Sequence, residues 1–209
     1  NLLSFSLTLA AFECFSFKVA QKMIKFGFLL TFLLNFATSL RNFDCEFVFT
    51  SNAYTCKVKY LEITSKDDRE VNFPEIDENV EVFIAVDQQI NYFPLNLGDF
   101  YPNLKKIYIF NAGMKEITSN DLKKFKNLEV LSLNGNEIET IPRDLLKFTQ
   151  KLRRVSFINN KISKIESGAF EDLPELKSLS FSGNPCFESD NEDEELNVVK
   201  QKLYNKKKL

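Results

Sequence analysis

Four cysteines (Cys14, Cys45, Cys56 and Cys186) and two groups of carboxylates are the side chains here whose types could do chemistry. A thiol can pair, ligate a metal or, beside a base, attack an electrophile. The sequence holds no His, which removes the commonest general base and any Ser–His or Cys–His couple, and weakens zinc chemistry. Asp67-Asp68 and the run at 188–195 could attract a cation, yet neither has the spacing of a calcium loop. The six Gly are scattered, so there is no glycine-rich phosphate loop. These residues imply no catalytic group, no cofactor and no metal site. Disulfide formation is the chemistry left to place.

Segments 45–49 and 54–60 alternate in polarity around Thr50-Ser51-Asn52 and read as a β-hairpin. Such a hairpin would bring Cys45 and Cys56 close enough to pair in an oxidising compartment. Two unrelated buried thiols are the alternative. Cys186 has no later partner, so it reads either as a buried thiol in a core slot or as the seed of an intermolecular disulfide.

Beyond residue 78 one pattern takes over. Leu104, Leu128, Leu152 and Leu176 stand 24 residues apart. Other columns follow in phase: Ile107, Leu131, Val155 and Leu179, then Ile109, Leu133, Phe157 and Phe181. Asn136, Asn160 and Asn184 form another, followed by Met114, Ile138 and Ile162. Val80, Phe83, Ala85, Gln88, Ile90 and Phe93 fill the same slots one unit earlier. A fixed period of this size means stacked units.

Apolar residues two apart put alternate side chains of a short strand on one face. The Asn beyond the strand turns the chain and offers donors and acceptors to backbone groups at that corner. Leu122 with Phe125, Leu145 with Phe148 and Phe170 with Leu173 close a third side, where Ser119 and Pro142 open a short helix or turn. Gln88 and Ala112 occupy the Asn column in the first two units, so the hydrogen-bonded ladder should be interrupted there. Leu97 with Phe100, and Leu145 with Phe148, sit one position early.

These columns resemble the typical 24-residue class of leucine-rich repeats, found in secreted and receptor ectodomains such as Toll-like and small arthropod proteins. The likeness covers residues 79–186. It implies an α/β solenoid: a leucine-rich-repeat horseshoe with short parallel strands on the concave face and short helices or turns on the convex side. It also implies an N-terminal disulfide-bearing β-hairpin cap, since the first coil of a stack would otherwise expose its apolar interior. Gly183-Asn184-Pro185-Cys186 is similar to the opening of a C-terminal cap in relatives, although no further cysteines follow.

Five units at 79–186 thus follow a cap at 40–78. Residues 23–39 read as a signal peptide, with Lys18, Lys22 and Lys25 leading into an apolar stretch at 26–34 and small Ala37 and Ser39 beyond. Met23 sits where such a peptide starts, so residues 1–22 read as upstream translation. A membrane anchor is the rival, but the uncharged stretch at 26–40 is shorter than the ~20 residues of a spanning helix. Residues 187–209 form an acidic tail carrying Leu196, Val199 and Leu203 at helical spacing, hence a cap helix or a disordered run.

The period also names the strand positions that face away from the core. Val82, Ile84, Val86, Lys106, Tyr108, Phe110, Asn134, Arg154 and Ile158 are the expected binding residues of the concave face. Tyr108 and Phe110 lead, because aromatics carry much of the energy of interfaces. The competing reading folds residues 61–78 over them. Along the strand starts, Glu81, Lys105, Glu129, Arg153 and Lys177 suggest lateral ion pairs or a docking stripe. A formal charge of −2 gives no nucleic-acid bias. The expected function is therefore a secreted, extracellular protein-binding module: a protein ligand, no nucleic acid, and no membrane after signal cleavage. The alternatives are an intracellular scaffold of the same fold, or a self-associating adhesive protein, dimerised covalently through Cys186.

Overall fold

The computed structural model describes residues 43–50, 52–73 and 75–185. The readings of residues 1–39, of Cys186 and of the tail at 187–209 lie outside them. The described chain opens with a hairpin of β1 (Asp44–Thr50) and β2 (Ala53–Tyr60). Cys45 and Cys56 are joined by a disulfide whose Cα atoms are 5.5 Å apart.

β2 then pairs in parallel with β4 (Val82–Val86), setting Cys56 beside Phe83. β6 (Lys106–Phe110), β7 (Val130–Ser132), β9 (Arg154–Ser156) and β11 (Ser178–Ser180) add on, all parallel and all in the register of the repeat. The result is a seven-stranded sheet ordered β1-β2-β4-β6-β7-β9-β11. Shorter pairs line a neighbouring side of the coil: β3 (Glu62–Ile63) with β5 (Gln89–Ile90), and β8 (Thr140–Ile141) with β10 (Lys164–Ile165). Ile107, Ile109, Leu131, Leu133, Val155 and Phe157 are fully buried between coils, as alternation requires.

The Asn column forms a ladder. Asn160 Nδ2 donates to the Leu133 carbonyl of the preceding coil (2.8 Å) and to its own Phe157 carbonyl (3.1 Å), while Oδ1 accepts from Ile138 N–H (3.1 Å). Asn136 and Asn184 repeat the arrangement one coil away on either side. At Ala112 the ladder is interrupted as expected, and the Ala112 carbonyl itself accepts from Ile90 N–H (2.8 Å). At Gln88 it is not broken: the longer side chain accepts from Leu61 N–H (2.8 Å) and donates to the Val86 carbonyl (3.0 Å).

That bond from Leu61 spans 27 residues and exposes a unit the repeat count missed. Residues 53–80 form a further coil, with Cys56 in the slot of Phe83 and Ile63 in that of Ile90. Its offset of 27 rather than 24 hid it from a search at fixed period. Its outer side is stitched to the next two coils. Asn96 accepts from Val71 N–H (3.1 Å) and donates to Val71 C=O (2.7 Å). Arg69 Nε donates to the Phe93 carbonyl (2.8 Å), and its guanidinium pairs with Asp121 where both side chains are largely buried.

The third side corrects two expectations. Tyr101 and Thr149, both buried, take the regular slots that Phe100 and Phe148 were expected to fill one position early; Phe100 and Phe148 are half-buried. The polar member of that column is satisfied, the buried Thr149 hydroxyl donating to the Leu146 carbonyl (3.0 Å). Gly98 stands where later coils carry Leu122, Leu146 and Phe170. A Cβ there would lie 2.7 Å from Lys124 Cβ and 3.3 Å from the Phe125 ring, so the large neighbour uses the space. Of the short helices α1 (Leu97–Phe100) and α2 (Ser119–Leu122), the second is capped by Thr118, not Ser119, in a reciprocal box with Asp121.

Two outcomes follow. Asn160→Ala leaves the buried Ile138 N–H unpaired and takes one carboxamide donor from each of the Leu133 and Phe157 carbonyls, which keep those of Asn136 and Asn184. It should cost about 1–3 kcal/mol in urea unfolding, the range for one orphaned buried group. Tyr101 packs edge-on to Phe47 and Phe73, and its buried hydroxyl has no partner among the described residues. Burial, with Asp77 and Glu75 nearby, pushes its phenol well above the ordinary 10.0. The phenol is neutral in both states below pH 10, so this contribution is fully present there. Above it the unfolded chain ionises first and stability falls. Tyr101→Phe should stabilise the protein by about 1 kcal/mol at neutral pH and flatten the alkaline limb of its urea midpoint.

Candidate functional site

Sheet register places the outward-facing residues in rows. The central row runs Lys57, Ile84, Tyr108, Ser132, Ser156 and Ser180, one residue from each successive strand. Beside it Val86 and Phe110 are paired, and on the other flank Thr55, Val82, Lys106, Val130, Arg154 and Ser178. Ile84, Lys106, Tyr108, Phe110, Asn134 and Ile158 are half-buried, and Arg154 and Val86 exposed. Tyr108 and Phe110 pack on one another edge-to-face with centroids 5.7 Å apart, a geometry favoured by the ring quadrupole.

Two of the expected binding residues stand differently. Val82 is only 4% exposed, so it is core and not contact surface. It lies between Thr55, itself fully buried, and Lys106 on paired strands, and the face closes over it where the hairpin begins. Asn134 is on the face, but its Oδ1 already accepts from Ser156 Oγ (2.7 Å) and Ile158 N–H (3.0 Å). Its carboxamide therefore ties one coil to the next.

Residues 61–78 do not form the lid over Tyr108 and Phe110 that was the competing reading. They run along the side opposite the strands' outward face, held by β5, Phe93, Asn96 and Asp121. The charged row at the strand starts closes one ion pair among the described residues, Lys105 to Glu81 at 2.5 Å. The hydrogen bond to Glu81, reinforced by the charge of Glu129, holds the Lys105 ammonium above its usual pKa. A continuous docking stripe is not formed.

One column went unrecognised in the sequence. Asp87, Asn111, Gly135, Asn159 and Gly183 leave their strands with φ between 52° and 69°. Only Gly adopts that left-handed region freely, with Asn and Asp next, so the residue types were a readable signal once aligned on the period. A Cβ on Gly135 would sit 2.0 Å from Asn111 Oδ1. The Asn111 side chain thus lies across the Gly of the next coil, while its Nδ2 donates to Asp87 (3.2 Å). This column bends the chain out of the sheet and sets one rim of the outward face.

Residues 126–185 match the family model described as leucine rich repeat. No curated protein matches. Among solved structures 111 chains do. One, a crystal structure of a TLR13–ssRNA13 complex, is 25% identical with a TM-score of 0.47 over 51% of this chain. The match spans 15% of that chain's length.

The assignment of exposure is testable with two valines on one strand. Val82→Lys would bury an ammonium and should cost at least about 2 kcal/mol. Val86→Lys, at a position 37% exposed, should stay within about 0.5 kcal/mol. Thermal melts of the two variants decide it, and equal losses would put Val82 on the surface.

Proposed function

We propose that this leucine-rich-repeat chain is a secreted binding module that holds a protein ligand on the outward face of its parallel sheet, at the first two repeats. The observation that carries the reading is the Tyr108–Phe110 pair, with Ile84 and Val86 beside it, left half-exposed on a face from which the cap coil runs away. Apolar and aromatic side chains on a solvated strand gain nothing from water. Buried under a partner, each aromatic is worth about 2 kcal/mol or more at a well-packed interface centre. Lys57, exposed in the same row, and Lys106 alongside offer donors for the polar rim.

Two features support the extracellular setting. Residues 23–39 have the composition of a leader, and a disulfide such as Cys45–Cys56 persists where the surroundings oxidise. Immune recognition, adhesion and extracellular regulation all suit such a module, because fold alone does not choose among them. Its work is binding and not catalysis, in keeping with a sequence that contains no His.

The full chain, expressed in cultured cells, should appear in the medium; confinement to the lysate rejects secretion. Ligands should then be cross-linked to it from extracellular fluid and their affinities measured. Tyr108→Ala with Phe110→Ala should weaken capture by about 100-fold or more. Lys161→Ala, which loses only an exposed ion pair to Glu137 (3.1 Å), should not. Undiminished affinity in the double variant rejects this face as the contact surface.

A further inference from the structure

The same period gathers a second group of side chains, at the edge where the strands begin. Asn79, Asn103 and Asn127 stand 24 residues apart just ahead of β4, β6 and β7. Their side chains therefore recur across three coils at about one strand spacing (~4.8 Å). The tip of the β1–β2 hairpin reaches this edge too, because β2 runs parallel to β4 and Glu81 N–H donates to the Tyr54 carbonyl (2.9 Å). Between them lies an open depression of ≈ 430 Å³, with Phe49 and Tyr54 among its walls. Phe49 is 79% exposed, more than any other large apolar side chain among the described residues, and its ring centroid is 5.2 Å from that of Tyr54.

Each carboxamide bonds to the protein through only one of its two polar atoms. Asn79 Nδ2 donates to Asp77 (3.0 Å), Asn103 Nδ2 donates to the Glu78 carbonyl (3.0 Å), and Asn127 Oδ1 accepts from Lys151 Nζ (2.9 Å). Two acceptors, Asn79 Oδ1 and Asn103 Oδ1, and one donor, Asn127 Nδ2, remain for a ligand. An anion finds no free cation in the hollow, because Lys105 is held by Glu81. A metal ion finds no group of three ligating side chains among the described residues. A peptide strand finds the ends of strands and not an unpaired edge. What matches an exposed aromatic face beside mixed amide donors and acceptors is a neutral sugar ring. Its C–H face stacks on the negative face of the aromatic ring, and its rim of hydroxyls both donates and accepts.

We propose that this depression binds a neutral saccharide, which stacks on Phe49 and presents its hydroxyls to the carboxamides of Asn79, Asn103 and Asn127. The site is separate from the Tyr108–Phe110 face, so a ligand there can be engaged independently of one on the sheet.

Calorimetric titration of the full chain with cellohexaose, laminarihexaose, maltohexaose and chitohexaose tests it. At least one should bind with a Kd of about 1 mM or tighter. Phe49→Ala should weaken that binding about tenfold, the scale of one lost stacking contact, with an unchanged circular dichroism spectrum because the side chain is exposed. Asn103→Ala should also weaken it, and Tyr108→Ala with Phe110→Ala should leave it unaltered. Absence of heat with all four sugars overturns the proposal. So does binding indifferent to Phe49→Ala, or binding abolished by the sheet-face double variant.

Discussion

A buried carboxamide that serves two coils at once is the constraint on which this molecule rests. Asn136, Asn160 and Asn184 are 4–6% exposed, and each joins backbone groups of its own strand to those of the coil before it. Solvent cannot take over these bonds. A slip of one residue between coils would leave several donors and acceptors unpaired in an apolar interior, at about 1–3 kcal/mol each. The ladder thereby fixes the register at 24 residues, and register decides which side chains share a row on the outward face. The layout of the outward face is set by polar groups that never touch it.

The first coils lack that ladder in its regular form and are held by other means. Ala112 supplies only backbone, Gln88 reaches across with a longer side chain, and the cap coil adds three residues to the spacing. Compensation comes from the disulfide, the Asn96 bracket on Val71 and the buried Arg69–Asp121 pair, in which Asp121 also receives Thr118 N–H (2.8 Å). All these ties lie away from the outward face of the sheet. The end of the solenoid with the most irregular interior can thus present an uncovered surface.

Strand positions and buried columns were legible in the sequence because they obey one period and one alternation, as Leu131, Leu133, Val155 and Phe157 illustrate. Legibility failed wherever a neighbour and not the period decided the outcome. Val82 occupies an outward slot but is buried through its lateral neighbours. Phe100 and Phe148 look like core residues, yet Tyr101 and Thr149 take the slots they were expected to fill. The left-handed corner of Asp87, Asn111, Gly135, Asn159 and Gly183 was within reach of the sequence, since its residue types form a set with one conformational property. The column has no apolar member, so a period traced through buried side chains does not pass through it. The Tyr108–Phe110 patch was legible as a position but not as a packed pair.

The two halves of the outward face differ in how much of their chemistry is already committed. Toward the last coils the side chains are polar, and several bond internally: Ser156 Oγ donates to Asn134, and Asn134 also accepts from the Ile158 backbone. Displacing those bonds for a partner exchanges one hydrogen bond for another and yields little net free energy. Toward the first coils, Ile84, Val86, Tyr108 and Phe110 have no such commitments beyond the edge-to-face contact of the two rings. Covering them removes apolar surface from water at roughly 25 cal/mol per Å² with nothing to break in exchange. On the proposed function, the affinity of this sheet for a protein ligand resides in its first two repeats, while the polar half shapes which ligands fit.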